Sequence, residues 1–329
     1  MSAGTSRRSG AGSAVAAVDC GTNSTRVLVA GPDGRPLTRL MRITRLGEGV
    51  DRTGSLSPAA VERTAGVLRE YRSEMDRLGV GPVRASATSA VRDASNPDLF
   101  LDAAEEALGA RPELLSGEEE GRLSYMGATA ELDPVAGACL VVDIGGGSTE
   151  LVVGQSPVGG PPTDGGPVGA VSVDVGCVRV TERFLLHDPP SREELDRARR
   201  FVKAELAAGL GALSLGSGVG TLVALAGTVT TLAAMKLGLE SYDRDRVHHS
   251  VLSRSDVGTL LEVMSGEDRA GRLRRPGLEA ARADVIVGGA LILVTVMAIT
   301  GAESCLVSES DILDGMVMSL LGDDRVATR

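Results

Sequence analysis

The sequence predicts an α/β protein of two related lobes that face each other across a cleft. Three observations carry this prediction. Short apolar runs rich in Val, Leu and Ala alternate with longer helical stretches along the chain. The segment Val18-Asp19-Cys20-Gly21-Thr22-Asn23-Ser24-Thr25 matches Val142-Asp143-Ile144-Gly145-Gly146-Gly147-Ser148-Thr149 at a constant offset of 124 residues, and Val27-Leu28-Val29 then lies against Leu151-Val152-Val153. The chain has 329 residues, enough for two hydrophobic cores. One Asp-x-Gly turn between strands is an ordinary hairpin signal. Two of them, each opening half of the chain, are an internal repeat.

The elements follow in order. Residues 1–13 are rich in Ser, Gly and Ala and read as a disordered tail; the first lobe spans 14–132 and the second 133–329. Strands are expected over 14–18, 26–30 and 37–46, with the Gly31-Pro-Asp-Gly34 turn between the last two. Ser57-Pro58 opens a helix to about 78, as N-cap and first helical residue. A strand over 83–87, a helix over 97–108 and a short strand over 113–115 come next. The acids Glu118, Glu119 and Glu120 then start a helix to about 131, where they favour its positive end. Asp133-Pro134 marks the junction. The second hairpin follows, then a Gly- and Pro-rich loop over 155–169 and a strand over 170–175. Helices are expected over 178–186 and 191–206, a strand over 221–225, and helices to 237 and from 255 to 264. The apolar run 285–300 reads as a buried helix, 305–307 as the last strand, and 312–321 as a C-terminal helix that packs back on the first lobe.

Composition narrows the function. The net charge of −10 and an aromatic content of 2% without Trp argue against nucleic-acid binding. The scattered cysteines Cys20, Cys139, Cys177 and Cys305 form neither a zinc pattern nor a disulfide framework. His187, His248 and His249 read as loop or strand-end residues. No apolar core follows Arg7-Arg8 as a signal peptide requires, and the uncharged stretch 206–235 is broken by glycines. The expectation is a soluble cytoplasmic protein with no membrane or nucleic-acid partner.

The glycine turn carries the chemistry. Gly145, Gly146 and Gly147 allow positive φ and let amide groups converge into an anion cradle. Ser148 and Thr149 add hydroxyl donors. Asp143 and Glu150 flank the turn with carboxylates, which suit Mg²⁺ rather than phosphate. The repeat supplies Thr22, Asn23 and Ser24 from the other lobe, with Asp19 as a further metal carboxylate. Gly227 and Thr228, at a strand-to-helix turn, form a third donor group.

These turns resemble those of the exopolyphosphatase/guanosine-pentaphosphate phosphatase (Ppx/GppA) family of the actin-like ATPase superfamily. The matching pieces span most of the chain: 19–26, 87–96, Ser116-Gly-Glu-Glu-Glu120-Gly-Arg-Leu123, 143–150, Gly176-Cys177, Ala226-Gly-Thr228 and Val307-Ser-Glu-Ser310. The resemblance implies two ribonuclease-H-like domains with a phosphate-binding cleft between them. It implies Mg²⁺-dependent release of the terminal phosphate from inorganic polyphosphate or guanosine pentaphosphate (pppGpp). Glu120 matches the family's catalytic base, and Arg26 and Arg92 match arginines near the phosphate. Longer members carry a C-terminal helical domain; this chain resembles the short, two-domain form, and the family also allows a homodimer. The rival expectations are a nucleoside di- or triphosphate hydrolase and a polyphosphate- or alarmone-binding protein without turnover. Arginines at 39–45, 197–200 and 272–275 read first as solvated surface, and otherwise as guides for a polyanion.

Overall fold

The computed structural model describes residues 13–132, 138–155, 167–213 and 219–327. The tail expected over 1–13 lies outside them except for Ser13, as does the junction at 133–134; of the loop expected over 155–169, residues 156–166 lie outside, while Gln155 and 167–169 are strand residues instead. The first sheet contains β1 (Ala14–Cys20), β2 (Ser24–Ala30), β3 (Pro36–Ile43), β4 (Val80–Ala87) and β5 (Glu113–Leu114). Its connections carry α1 (Val50–Thr53), α2 (Pro58–Arg77), α3 (Ser89–Arg92) and α4 (Pro97–Leu108), and α5 (Gly117–Thr129) follows. The second sheet contains β6 (Ala138–Ile144), β7 (Thr149–Gln155), β8 (Pro167–Val173), β9 (Thr221–Leu225), β10 (Val251–Ser253) and β11 (Ser304–Ser308). Its helices are α6 (Cys177–Phe184), α7 (Arg192–Ala212), α8 (Gly227–Lys236), α9 (Arg244–Val247), α10 (Arg254–Ser265), α11 (Arg269–Arg272) and α12 (Ile286–Thr300), and α13 (Ile312–Ala327) closes the described chain.

The two sheets repeat one topology. The first has the order β3-β2-β1-β4-β5, and the second, read from the same edge, β8-β7-β6-β9-β11-β10. In each, a three-strand antiparallel meander is extended by two parallel strands, and the second sheet adds β10 antiparallel to β11. Both faces of β1 are buried, which is why it reads as a continuous apolar run. Ala14, Ala16 and Val18 face α2 and α4, whereas Val15 and Ala17 face α13. In β6, Leu140, Val142 and Ile144 face the large core of α6, α7, α8, α10 and α12, while Cys139 and Val141 meet α5.

The helices α5 and α13 tie the halves together. The last helix packs on the first sheet through Leu313, Met316 and Val317. Helix α5 lays Tyr125 and Ala128 on the second sheet and sends Leu123 into the cluster around α13. The helices cross backbone to backbone because two residues lack side chains there. A Cβ on Gly127 would lie 2.0 Å from the Asp311 carbonyl oxygen, and one on Gly315 would lie 2.1 Å from that of Leu123.

Several starts agree with the sequence reading. The Ser57 hydroxyl accepts from the Ala60 amide with Pro58 at the first helical position, and Ser191 forms a capping box with Glu194. Helix α10 begins a residue earlier than expected, capped by Ser253 through Asp256. Helix α7 runs past 206, through Gly209, where a Cβ would meet Val173 at 2.5 Å. The uncharged stretch becomes the end of α7, then β9 and α8, with 214–218 outside the described residues. Among the described residues no helix is long and apolar enough to cross a membrane, and all four cysteines are buried and free.

Candidate active site

Each hairpin delivers an aspartate to the end of a central strand. Asp19 stands one residue before the end of β1 opposite Arg26 on β2, and Asp143 one before the end of β6 opposite Glu150 on β7. Asp143, Thr149 and Glu150 are therefore strand residues, and the turn proper is the three glycines and Ser148. The turns share a closing bond: Gly21 donates to the Ser24 carbonyl at 3.0 Å, and Gly145 to that of Ser148 at 3.0 Å.

The expected reason for the three glycines needs correction. None of Gly145, Gly146 and Gly147 adopts positive φ. What they permit is close approach. A Cβ on Gly146 would lie 2.8 Å from Thr22 Cβ, and one on Gly147 would lie 2.6 Å from Ser89 Oγ, so the turn seats directly on the other lobe. Its carbonyls also face the start of α6, where Gly145 O accepts from Cys177 N and Gly146 O from Val178 N. Those first helical amides are thereby satisfied within the protein.

Between the turns lies the cleft. From the first lobe it is lined by Asp19, Thr22, Asn23, Ser24, Arg26 and Glu120. From the second come Asp143, Gly145, Gly146, Ser148, Gly227 and Thr228. The remaining expected residues stand behind this lining. Thr149 directs its hydroxyl to the Val175 carbonyl, away from any phosphate, and its expected donor role is corrected accordingly. Gly147 faces Ser89. Glu150 is 1% exposed and its Oε1 accepts from Ser172 at 2.8 Å. Arg92 donates to the Leu115 carbonyl at 2.9 Å and lies 3.6 Å from Glu120 Oε2.

The charges are unevenly matched. Arg26 grips Asp19 at 2.6 Å and Asp311 at 2.5 Å, and Ser86 donates to Asp19 at 3.1 Å. Burial alone would lower Arg26, but Asp311, Asp19 and Asp143 together raise it. Among the described residues, the side-chain hydrogen bond to Asp143 comes from the Ser124 hydroxyl, at 2.6 Å. Burial pushes it up to about 6 against that hydrogen bond and Arg26. Burial and Asp143 push Glu150 up to about 8. Glu120 rises well above the ordinary carboxylate range through burial, then through Glu150, Asp19 and Asp143, with Arg92 opposing. The Oε2 atoms of Glu120 and Glu150 are buried without a hydrogen-bond partner. This is an acid cluster short of positive charge.

That shortage bears on magnesium. Among the described residues no three Asp, Glu, His or Cys side chains converge into a ready metal cage. Mg²⁺ does not need one, since it typically takes one or two carboxylates and completes its octahedron with waters and substrate phosphate. Asp143, with Glu150 behind it, fits that mode. Asp19 fits it less well, because Arg26 already neutralises it.

Sequence reasoning missed several of these partners. Ser124 lies one turn after Glu120 on α5, so the i, i+4 spacing could have placed it on the same face. Arg282 lines the cleft over the start of α8, where a Cβ on Gly227 would meet its guanidinium. It comes from a single 3-10 turn, Ala280–Arg282, too short to carry a local signature. The arginine groups suggested as guides are mostly engaged: Arg39 with Asp311 and Asp314, Arg45 with Asp284, and buried Arg272 with Asp188.

The Ppx/GppA phosphatase family matches residues 29–324. Exopolyphosphatase 2 of Mycobacterium tuberculosis is 39% identical over 94% of this chain and 98% of its own. Among solved structures, an exopolyphosphatase-like protein superposes with a TM-score of 0.87 at 35% identity, covering 94% of this chain and 99% of that one. The Aquifex aeolicus Ppx/GppA protein does so with a TM-score of 0.77 at 32% identity, covering 94% and 98%. With its duplicated α/β fold and paired turns, the chain belongs to the Ppx/GppA phosphatase family.

Proposed function

We propose that this protein is an exopolyphosphatase, releasing the terminal phosphate of inorganic polyphosphate with Mg²⁺. The observation that carries the reading is Glu120: a carboxylate 12% exposed, at the start of α5, lining the interlobe cleft with its Oε2 near Arg92 but without a hydrogen bond. A carboxylate held above its usual range binds a proton more readily than an ordinary one, which suits a general base. In this reading the terminal phosphate sits between the turns and meets hydroxyls and amides of Thr22, Asn23, Ser24, Ser148, Gly227 and Thr228. Glu120 takes a proton from the water that attacks phosphorus, and the leaving phosphate chain departs on the opposite side. Arg26 and Arg282 face the charge that develops, while Arg92 orients Glu120. Mg²⁺, when bound at Asp143 and Glu150, neutralises phosphate oxygens.

One observation favours a second reading, hydrolysis of pppGpp or another nucleotide. A cavity of about 320 Å³ adjoins the cleft, shares Arg26, Gly227 and Arg282 with it, and adds Leu40, Met41 and Tyr242. Its mixed walls suit a larger group than phosphate. Initial rates on polyphosphates of several lengths, pppGpp and ATP, for wild type and Glu120→Gln, separate the readings. The proposal expects polyphosphate to be preferred and Glu120→Gln to lose about 10²–10⁴-fold in kcat while still binding. Tight binding with no phosphate release by wild type would identify a binding protein instead.

A further inference from the structure

Arg179, on α6, holds three acceptors drawn from both lobes. Its Nε donates to the Gly147 carbonyl at 2.8 Å, its Nη1 to Asp51 Oδ1 at 2.8 Å, and its Nη2 to Asp93 Oδ2. Gly147 belongs to the second-lobe turn. Asp51 is in α1 and Asp93 directly follows α3, both in the first lobe. The guanidinium is 17% exposed and the two acids 25% and 32%, so the group is more sheltered than an ordinary surface pair. The Gly49 amide donates to Glu182 Oε1 at 3.3 Å, a second tie between the same elements.

The neighbours of these acceptors give the contact its meaning. Asp93 follows Arg92, which stands 3.6 Å from Glu120. Gly147 precedes Ser148, which lines the cleft. One side chain therefore spans from the segment beside the base to the segment that receives phosphate. We propose that Arg179 is a positioning residue that couples closure of the lobes to the setting of the glycine turn. When the lobes part, Asp51 and Asp93 leave Arg179, and the turn loses the clamp that fixes its distance from Arg92 and Glu120. A planar fork with several fixed donors can serve three acceptors together; a lysine ammonium cannot reproduce that geometry. The kinetic part of this inference rests on the hydrolase reading, and the structural part does not.

The test compares wild type with Arg179→Ala, Arg179→Lys and Asp93→Asn, by steady-state kinetics on polyphosphate and by small-angle X-ray scattering. Arg179→Ala is expected to lose about 10–100-fold in kcat, the range seen when a residue that orients a catalytic group is removed. KM is expected to move by less than about threefold, since the loss lies in alignment rather than binding. Its radius of gyration increases, Arg179→Lys restores neither property, and Asp93→Asn shows the same direction of change in both. Added guanidinium ion partly restores the rate of Arg179→Ala. Wild-type kcat and wild-type scattering in Arg179→Ala overturn the proposal, as does full rescue by lysine. If Arg179→Ala does not fold, the Asp51→Asn/Asp93→Asn double variant decides it by the same two measurements. If wild type itself releases no phosphate, the hydrolase reading fails, and the scattering comparison still decides whether Arg179 latches the lobes.

Discussion

Replacing Gly315 by alanine tests whether the α5–α13 crossing holds Glu120, the proposed base, in place. An exposed helical Gly→Ala change should stabilise by about 1 kcal/mol through helix propensity. Here the new Cβ would lie 2.1 Å from the Leu123 carbonyl oxygen and 3.1 Å from Leu123 Cα. A tolerable contact needs roughly 3.2 Å, so the helices must separate by about 1 Å, and the obstacle is backbone that cannot rotate away. Overpacking of this kind costs about 1–3 kcal/mol. The upper part of that range applies, and after the propensity gain a net loss of about 1–2 kcal/mol remains. The displaced helix carries both Glu120 and Ser124, and a shift of about 1 Å at a catalytic group can cost on the order of 10²-fold in rate. Urea unfolding should therefore show a lower midpoint, and kcat on polyphosphate should fall far more than KM changes. A variant as stable as wild type with unaltered kcat would refute both the rigidity of the crossing and its role in placing Glu120.

Three further outcomes follow from the site. Ser124→Ala removes the donor that holds Asp143 down, so the acid limb of the pH–rate profile should move up by about one to two units, given about 1.5–3 kcal/mol for a charged hydrogen bond; an unmoved limb would detach Asp143 from activity. Thr149→Val should lower stability by about 1–2 kcal/mol by orphaning the Val175 carbonyl, while KM stays within about twofold; a large rise in KM would return Thr149 to the phosphate cradle. Glu120, Asp143 and Glu150 are all raised, so between about pH 4 and pH 8 the native chain binds more protons than the unfolded one. Native stability attributable to them must fall as pH rises through that window, and Mg²⁺ should raise the urea midpoint more at pH 8 than at pH 5. Equal Mg²⁺ effects at both values would place the ion away from these carboxylates.

What the sequence made legible was local or repeated. The paired turns, the burial of β1 and β6, and the caps at Ser57 and Ser191 depend on near neighbours, and each is readable from residue type and spacing. The short helices α1 and α3 escaped because four residues carry too little periodicity to register. Their placement, though, decides which acids meet Arg179. Arg282 and Asp311 reach the site from segments far along the chain, and only the fold brings them to Gly227 and Arg26. The glycines of the second turn were visible, but their reason was not. Close approach to Thr22 and Ser89 is a tertiary fact, whereas positive φ is the local explanation that a sequence suggests first.

The repeat also explains why two similar turns need not do the same work. Shifting Arg26 by the repeat offset lands on Glu150, and both face the aspartate of their hairpin across the same strand pair. In one lobe the opposing residue neutralises the aspartate; in the other it adds a like charge. The backbone is duplicated and the electrostatics are inverted. Asp19 is left as the anchor of a cation, held between Arg26 and Ser86. Asp143 is left beside Glu150 and within the field of Glu120, with a serine hydroxyl as its hydrogen-bonded partner. Three raised carboxylates therefore gather on the Asp143 side. On the other side Arg26 is shared between two carboxylates, Asp19 and Asp311. One difference at matched positions of a duplicated hairpin, Arg26 against Glu150, thus leaves the two walls of the cleft electrostatically unlike.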